Sequence, residues 1–287
     1  MMTHKRSIQI LLILGAFLMF VTCKQQTPDE ANAEIDQAIS EGLKFYQEAN
    51  FAEALPVFEK AAKKHPGSAD LANNVGMCHL QMGDFVRAEE GFKAALSIQK
   101  TSKLYVNLGD VQARQGKFNE AVKTLTEATT LDQKNFFAWV ALGRAHFSLK
   151  EFEKAEKSWN HARTLNESAE LLNSLGTLRL HQNKTEDATT LFDKAIKMEP
   201  GYAPAYYNLG VLQQKAKEYQ KANDNYVRAI AVDAAYLPAY YNLGLVRKEL
   251  GRKEEAIASF KRFVQLAPKD LEEQIKGAQS EIEGLGK

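Results

Sequence analysis

Six histidines and two cysteines are the side chains of this 287-residue chain best equipped to hold a metal or attack a substrate. The histidines are His4, His65, His79, His146, His161 and His181, and no two stand at the short helical spacing of a zinc site. Cys23 and Cys78 form no cluster with them. A phosphate-cradling GxxxxGK[ST] loop is missing, because the closing GLGK has neither the first glycine nor the Ser or Thr. No GxSxG nucleophile turn occurs. Asn166 and Asn183 open N-x-S/T triplets, which carry meaning only in a glycosylating secretory route. Carboxylates are plentiful but fall on the polar faces of the expected helices, where a charged residue needs no special role. The chain is therefore read as no enzyme, with no metal, no cofactor and no small-molecule substrate expected.

Charge narrows the partners further. Lys plus Arg number 37 against 36 for Asp plus Glu, so no strong field of one sign exists. A nucleic-acid binder neutralises phosphates with a clear basic excess, and nucleic acid is accordingly excluded as the main partner. An apolar fraction of 45% is ample for a core.

The beginning of the chain reads differently from the rest. Lys5 and Arg6 precede IQILLILGAFLMFV, Ile8 to Val21, in which Gln9 alone is polar. A basic start followed by an apolar stretch shorter than the roughly 17–25 residues of a membrane span is the pattern of an export signal. Directly after it stands FVTC, with Cys23 followed by a polar stretch. A small residue before such a cysteine resembles the lipobox of bacterial lipoproteins, although Phe20 stands where that family prefers Leu. The resemblance implies cleavage after residue 22 and acylation of Cys23, leaving 23–34 as a lipidated polar tether. The alternatives are an unrelated cysteine beside an ordinary signal and an uncleaved signal anchor. Cys78 then has no disulfide partner and is read as a small packing residue.

The strongest signal is a repeat. PAYYNLG occurs at Pro204 to Gly210 and again at Pro238 to Gly244. The same frame places Gly42, Gly76, Gly109, Gly143, Gly176, Gly210 and Gly244 at steps of 33 or 34. Twelve residues beyond each glycine is an alanine: Ala54, Ala88, Ala121, Ala155, Ala188, Ala222, Ala256. Four further on is an aromatic residue, with Leu125 the exception. Apolar residues recur at three- and four-residue steps between these markers, which predicts paired amphipathic helices. Gly83, Gly116 and Gly251 fall between the two helices of their units, where a left-handed stop favours glycine. His79 and His146 occupy equivalent places and are read as packing residues.

This frame resembles the tetratricopeptide repeat, a helix–turn–helix unit of 34 residues. The resemblance implies an all-α, right-handed α-solenoid of about seven such repeats with a C-terminal capping helix. The repeats are expected at 35–68, 69–101, 102–135, 136–168, 169–202, 203–236 and 237–270, followed by a cap and tail at 271–287. Leu271, Ile275, Ala278 and Ile282 share one face of that cap. The resemblance further implies a groove lined by each unit's first helix that binds a protein or peptide partner. The carboxylate-clamp variant wants Asn just after the glycine and Lys three before it. The first place holds Leu43, Met77, Asp110, Arg144, Thr177, Val211 and Leu245; the second holds Ile39, Asn73, Val106, Val140, Asn173, Tyr207 and Tyr241. Neither set matches. What the groove is expected to offer is Tyr207, Tyr241, Asn173, Met77 and Val140, with positive charge from Arg114, Arg144, Lys215 and Lys248. Aromatic and Arg side chains are the usual anchors of interfaces.

Together these readings describe a lipid-anchored scaffold for protein–protein interactions in a bacterial cell envelope, with the outer membrane as its expected place. Two rivals stay open: a signal-anchored membrane receptor or assembly factor, and a non-catalytic accessory subunit of an envelope enzyme complex.

Overall fold

The computed structural model describes residues 27–286, and every regular element in them is helical. The expected signal segment 1–22 and Cys23 lie outside these residues. The chain divides into two compact units between Lys100 and Thr101. The first holds α1 (Pro28–Gln47), α2 (Phe51–Lys64), α3 (Ala69–Gln81) and α4 (Phe85–Ile98). The second holds α5 (Ser102–Arg114), α6 (Phe118–Leu131), α7 (Phe136–Ser148), α8 (Phe152–Leu165) and α9 (Ala169–His181). It continues with α10 (Thr185–Met198), α11 (Ala203–Lys215), α12 (Tyr219–Val232), α13 (Leu237–Glu249) and α14 (Lys253–Leu266). A 3-10 turn at Lys269–Leu271 leads into α15 (Glu272–Gly286). Within each unit the helices pack as consecutive hairpins, an all-α repeat architecture.

The periodic markers have direct physical roles. Each repeat glycine lies under the large side chain sixteen residues on, so that a Cβ at Gly210 would sit 2.6 Å from Tyr226 and one at Gly244 2.6 Å from Phe260. Leu125 fills the same place above Gly109. The alanines of the frame are fully buried where paired helices approach. In the first unit Gly91 adds a second close approach, its Cβ position being 2.7 Å from the Cα of Gly76.

The turn inside every hairpin uses one motif. Ala49, Gly83, Gly116, Lys150, Asn183, Lys217 and Gly251 all have φ between 58° and 80°. In each repeat the next N–H bonds back to a carbonyl five residues earlier, as in Asn50 to Phe45 at 2.9 Å and Arg252 to Arg247 at 2.8 Å. The sequence reading found the three glycines of this column; the other four positions carry side chains in the same left-handed conformation.

Helix starts differ by position in the repeat. First helices α3, α5, α7 and α9 are capped by Ser68, Thr101, Asn135 and Ser168, whose side chains accept the N–H three residues on. In α11 and α13 the opening proline takes over, since Pro204 and Pro238 have a preset φ and no donor to satisfy.

One boundary needs correction. Residues 23–34 were expected as a tether before a first repeat at 35, yet α1 begins at Pro28. Thr27 and Glu30 form a capping box there and Pro28 opens the helix, so a strong start signal extends α1 by two turns. At the far end the expected cap is present. Ala278 is buried against Phe260 and Phe263, with Ile275 and Ile282 packed beside them.

Candidate functional site

The second unit brings two of the expected groove residues into one hollow. Tyr207 from α11 and Tyr241 and Asn242 from α13 line it with Leu237, Pro238 and Phe263. Leu271 at the end of the 3-10 turn and Gln274 at the start of α15 complete the wall. The hollow measures about 500 Å³, within the roughly 300–1,000 Å³ of ligand-sized sites. No residue lining it is charged.

Each side chain is fixed from behind. Tyr241 meets Phe260 and Phe263 edge-on, at ring separations of 5.6 and 5.3 Å. Its hydroxyl lies over α15, 3.5 Å from where a Cβ at Gly277 would stand. Tyr207 packs on Tyr226 and Tyr236 at 5.7 and 5.6 Å. The Asn242 amide donates to the Tyr207 hydroxyl at 3.1 Å and, more weakly, to Tyr226 at 3.4 Å. Tyr226 in turn donates to Gln214 at 2.7 Å. Burial raises the Tyr207 phenol above its ordinary range, opposed by the Asn242 hydrogen bond. Burial also pushes Tyr236 up to about 12, with Tyr207 and Asp233 adding to it.

Within PAYYNLG the polar positions now have reasons. Tyr206 and Tyr240 donate to the carbonyls of Pro200 and Ala234, six residues back, at 3.3 and 3.0 Å. Asn208 repeats the bond of Asn242 one repeat earlier, donating to Asn173 at 2.8 Å. These asparagines join successive first helices, a role that sequence reasoning missed. The signal was available, since Asn stands two before the glycine in both copies.

The remaining expected groove residues are dispersed. Val140 is buried in the core with Trp159, whose indole N–H donates to the Val140 carbonyl at 3.1 Å. Its place in the groove is therefore corrected: the Val140 side chain is buried among Trp159, Leu171 and Leu175 and does not face an open groove. Asn173 is half-buried and accepts from Asn208. Arg144 bridges Asp110 at 3.3 Å and Glu170, while Arg114 pairs with Asp110 at 2.9 Å. Lys248 pairs with Glu281 of α15 at 2.7 Å, which raises the ammonium's pKa. The expected positive charge of these three residues is thus offset by carboxylates, on its own helix for Arg114, on both neighbouring repeats for Arg144 and on the cap for Lys248. Lys215 is exposed. Met77 is half-buried on α3 of the first unit. Lipidation at Cys23 lies outside the described residues.

His79 and His146 are buried, three residues after their glycines. His146 bonds Glu151 at 2.6 Å, and the equivalent Arg179 bonds Glu156 at 2.7 Å. Cys78 is fully buried, and burial pushes its thiol up to about 11, away from nucleophilic use. Among the described residues no group of three or more His, Cys, Asp or Glu could hold a metal ion, and no helix is long and apolar enough to cross a membrane.

Comparison with known proteins agrees with the all-α repeat architecture. Four family models, each described as tetratricopeptide repeat, match residues 45–108, 106–163, 191–222 and 237–270. The protein O-mannosyl-transferase Tmtc3 of Drosophila melanogaster is 27% identical over 128 residues, covering 39% of this chain. The match spans 14% of that relative's length. A tetratricopeptide-repeat protein from Parabacteroides merdae superposes with a TM-score of 0.70 at 15% identity, covering 89% of this chain and 100% of that one. The APC/C hetero-tetramer Cut9-Hcn1 gives 0.68 at 18% identity, over 97% of this chain and 52% of the other. These structural likenesses concern the fold.

Proposed function

This chain is a tetratricopeptide-repeat protein, and we propose that it is a non-catalytic scaffold that holds a segment of another protein against its first helices. The observation that carries this reading is the hollow joining Tyr207 and Tyr241 across successive repeats. It offers aromatic anchors in a ligand-sized recess, the arrangement that concentrates binding energy in few residues. The scaffold is anchored by lipid at Cys23 in a bacterial cell envelope, at the outer membrane. The apolar stretch Ile8 to Val21 followed by FVTC supports that part of the reading. One acyl chain gives marginal membrane affinity and two give stable attachment, so a multiply acylated Cys23 would hold the scaffold firmly.

Two experiments test the parts separately. Partner capture is compared between wild type and Tyr207→Ala/Tyr241→Ala, with thermal unfolding recorded for both. Loss of a specific partner from a folded variant is expected; an unchanged set of partners removes the groove from the function. Metabolic labelling with palmitate is expected in wild type and absent in Cys23→Ser. Equal labelling of the two would refute the anchor.

A further inference from the structure

Resting on the scaffold reading, we infer that the hollow between α11, α13 and α15 takes an uncharged, extended, proline-containing segment, and that α15 is one wall of this site as well as a cap. Three observations converge on that occupant. The lining carries three aromatic rings, Tyr207, Tyr241 and Phe263, and no charged group. A charged side chain or a free chain terminus would lose its hydration there with no counter-charge to replace it. The hollow also holds hydrogen-bond donors that an open backbone carbonyl can meet, beside the acceptor oxygens of the same groups. The bond from Asn242 occupies a lone pair of the Tyr207 oxygen and leaves the Tyr207 hydroxyl proton free to donate. The Tyr241 hydroxyl and the Gln274 amide add further donors.

A polyproline-type segment is the complement of such a site. Its backbone has no internal hydrogen bonds, its carbonyls are open acceptors, and each proline lacks the N–H that would need an acceptor. Its rings lie flat on aromatic side chains, and its preset conformation costs little entropy on binding. A helical occupant would instead have its carbonyls already satisfied internally, leaving these donors unmatched. The size of the recess, about 500 Å³, suits a few residues in extended form.

The position of α15 makes the site conditional on the C-terminal helix. Gln274 belongs to its first turn and Leu271 to the 3-10 turn that leads into it, and the helix is held by Ala278 in the last repeat's core and by the Lys248–Glu281 pair at 2.7 Å. The sequence motif PAYYNLG supplies the tyrosines and the asparagine, but the second wall comes from outside the repeat.

The test is fluorescence anisotropy with full-length protein and three labelled probes. These are a short end-blocked peptide of repeated Pro-Pro-Leu, an end-blocked acidic peptide of repeated Glu-Glu-Leu, and an amphipathic helix-forming peptide. Saturable binding of the proline probe is expected, at least about tenfold tighter than the other two, a margin of about 1.4 kcal/mol. Tyr207→Phe and Gln274→Ala should each weaken it about threefold to tenfold, the worth of one neutral hydrogen bond. Glu120→Ala, an exposed change on α6, should leave it unchanged. Gln274 is also exposed, so its variant reports binding without disturbing the core. Preference for the acidic or helical probe, no binding of the proline probe, or full affinity in both variants would overturn the inference. The scaffold reading fails separately: a photo-crosslinker at position 241 that captures a charged or helical segment keeps the scaffold and removes this occupant, while no adduct and no binding remove both.

Discussion

Asn242 on α13 donates its amide to the Tyr207 hydroxyl on α11 at 3.1 Å, thirty-five residues back along the chain. One repeat earlier Asn208 does the same to Asn173 at 2.8 Å. A pair of equivalent asparagines thus links successive first helices through half-buried polar contacts. Removing either amide leaves its partner short of one bond, at a cost of about 0.5–1.5 kcal/mol. Asn208→Ala and Asn242→Ala should both lower the thermal midpoint. An unchanged midpoint in both would show that these contacts contribute nothing to the stack.

The glycine under each large side chain predicts an asymmetry. In Gly210→Ala the new methyl meets the Tyr226 ring at 2.6 Å, and that ring is fully buried. Overpacking of this kind costs about 1–3 kcal/mol. Gly67→Ala, where a Cβ meets nothing within 4 Å, should change stability by less than about 0.5 kcal/mol. Chemical denaturation of the two variants checks both figures, and equal midpoints would contradict the packing account.

How much of this was legible beforehand differs by level. Gly42 to Gly244 and Ala54 to Ala256 repeat so regularly that paired amphipathic helices followed from spacing, and the resemblance carried by that frame implied the seven units and the cap. Burial of a glycine beneath an aromatic sixteen residues on is a local demand, and local demands leave a periodic trace. The start of α1 was misjudged because the frame was extrapolated backwards while the capping box of Thr27 and Glu30 was overlooked. Tyr207 and Tyr241 were identified as groove residues, but the second wall was not. Leu271 and Gln274 reach the hollow only through the way α15 folds back on the last repeat, and no periodicity carries that information. Val140 was misplaced because its position in the frame says which helix face it occupies, not which neighbours, here Trp159, Leu171 and Leu175, cover it. The charges of Arg144 and Lys248 were read singly, whereas their partners Asp110, Glu170 and Glu281 come from other elements.

The left-handed column makes a prediction of opposite sign. Lys150 and Lys217 hold φ of 60° without glycine's freedom, a strain of about 1 kcal/mol or more each. Lys150→Gly and Lys217→Gly should therefore be neutral or stabilising by up to about 1 kcal/mol, the relief being partly offset by greater unfolded-state entropy. Gly251→Ala, at φ 71°, should destabilise by about 1 kcal/mol. Urea titrations of the three variants test this. Destabilisation by both lysine replacements would mean the side chains, not the backbone, set the turn.

Alkaline pH should loosen the second unit in a defined window. Burial raises Tyr202 to about 12, with Glu170 and Glu199 among the contributors, and raises Tyr236 to about 12. A phenol whose folded pKa exceeds its unfolded value of about 10 stabilises the fold while it is protonated. That stability is complete below pH 10 and declines as pH rises toward 12. Phenolate absorbance should therefore show a late-titrating group of tyrosines, and Tyr236→Phe should reduce the loss of stability across that interval. All tyrosines ionising together near pH 10 with the fold intact would contradict it.

The central claim is that the hollow between Tyr207 and Tyr241 holds a partner segment. Photo-crosslinking in living cells, from a probe placed at Tyr241 and compared with one at the exposed Arg228 on α12, tests it most directly. The account predicts one dominant protein adduct from position 241, mapped to a single segment of that partner, and none of it from position 228. Adducts from 228 with none from 241 would move binding to the second helices and contradict the account.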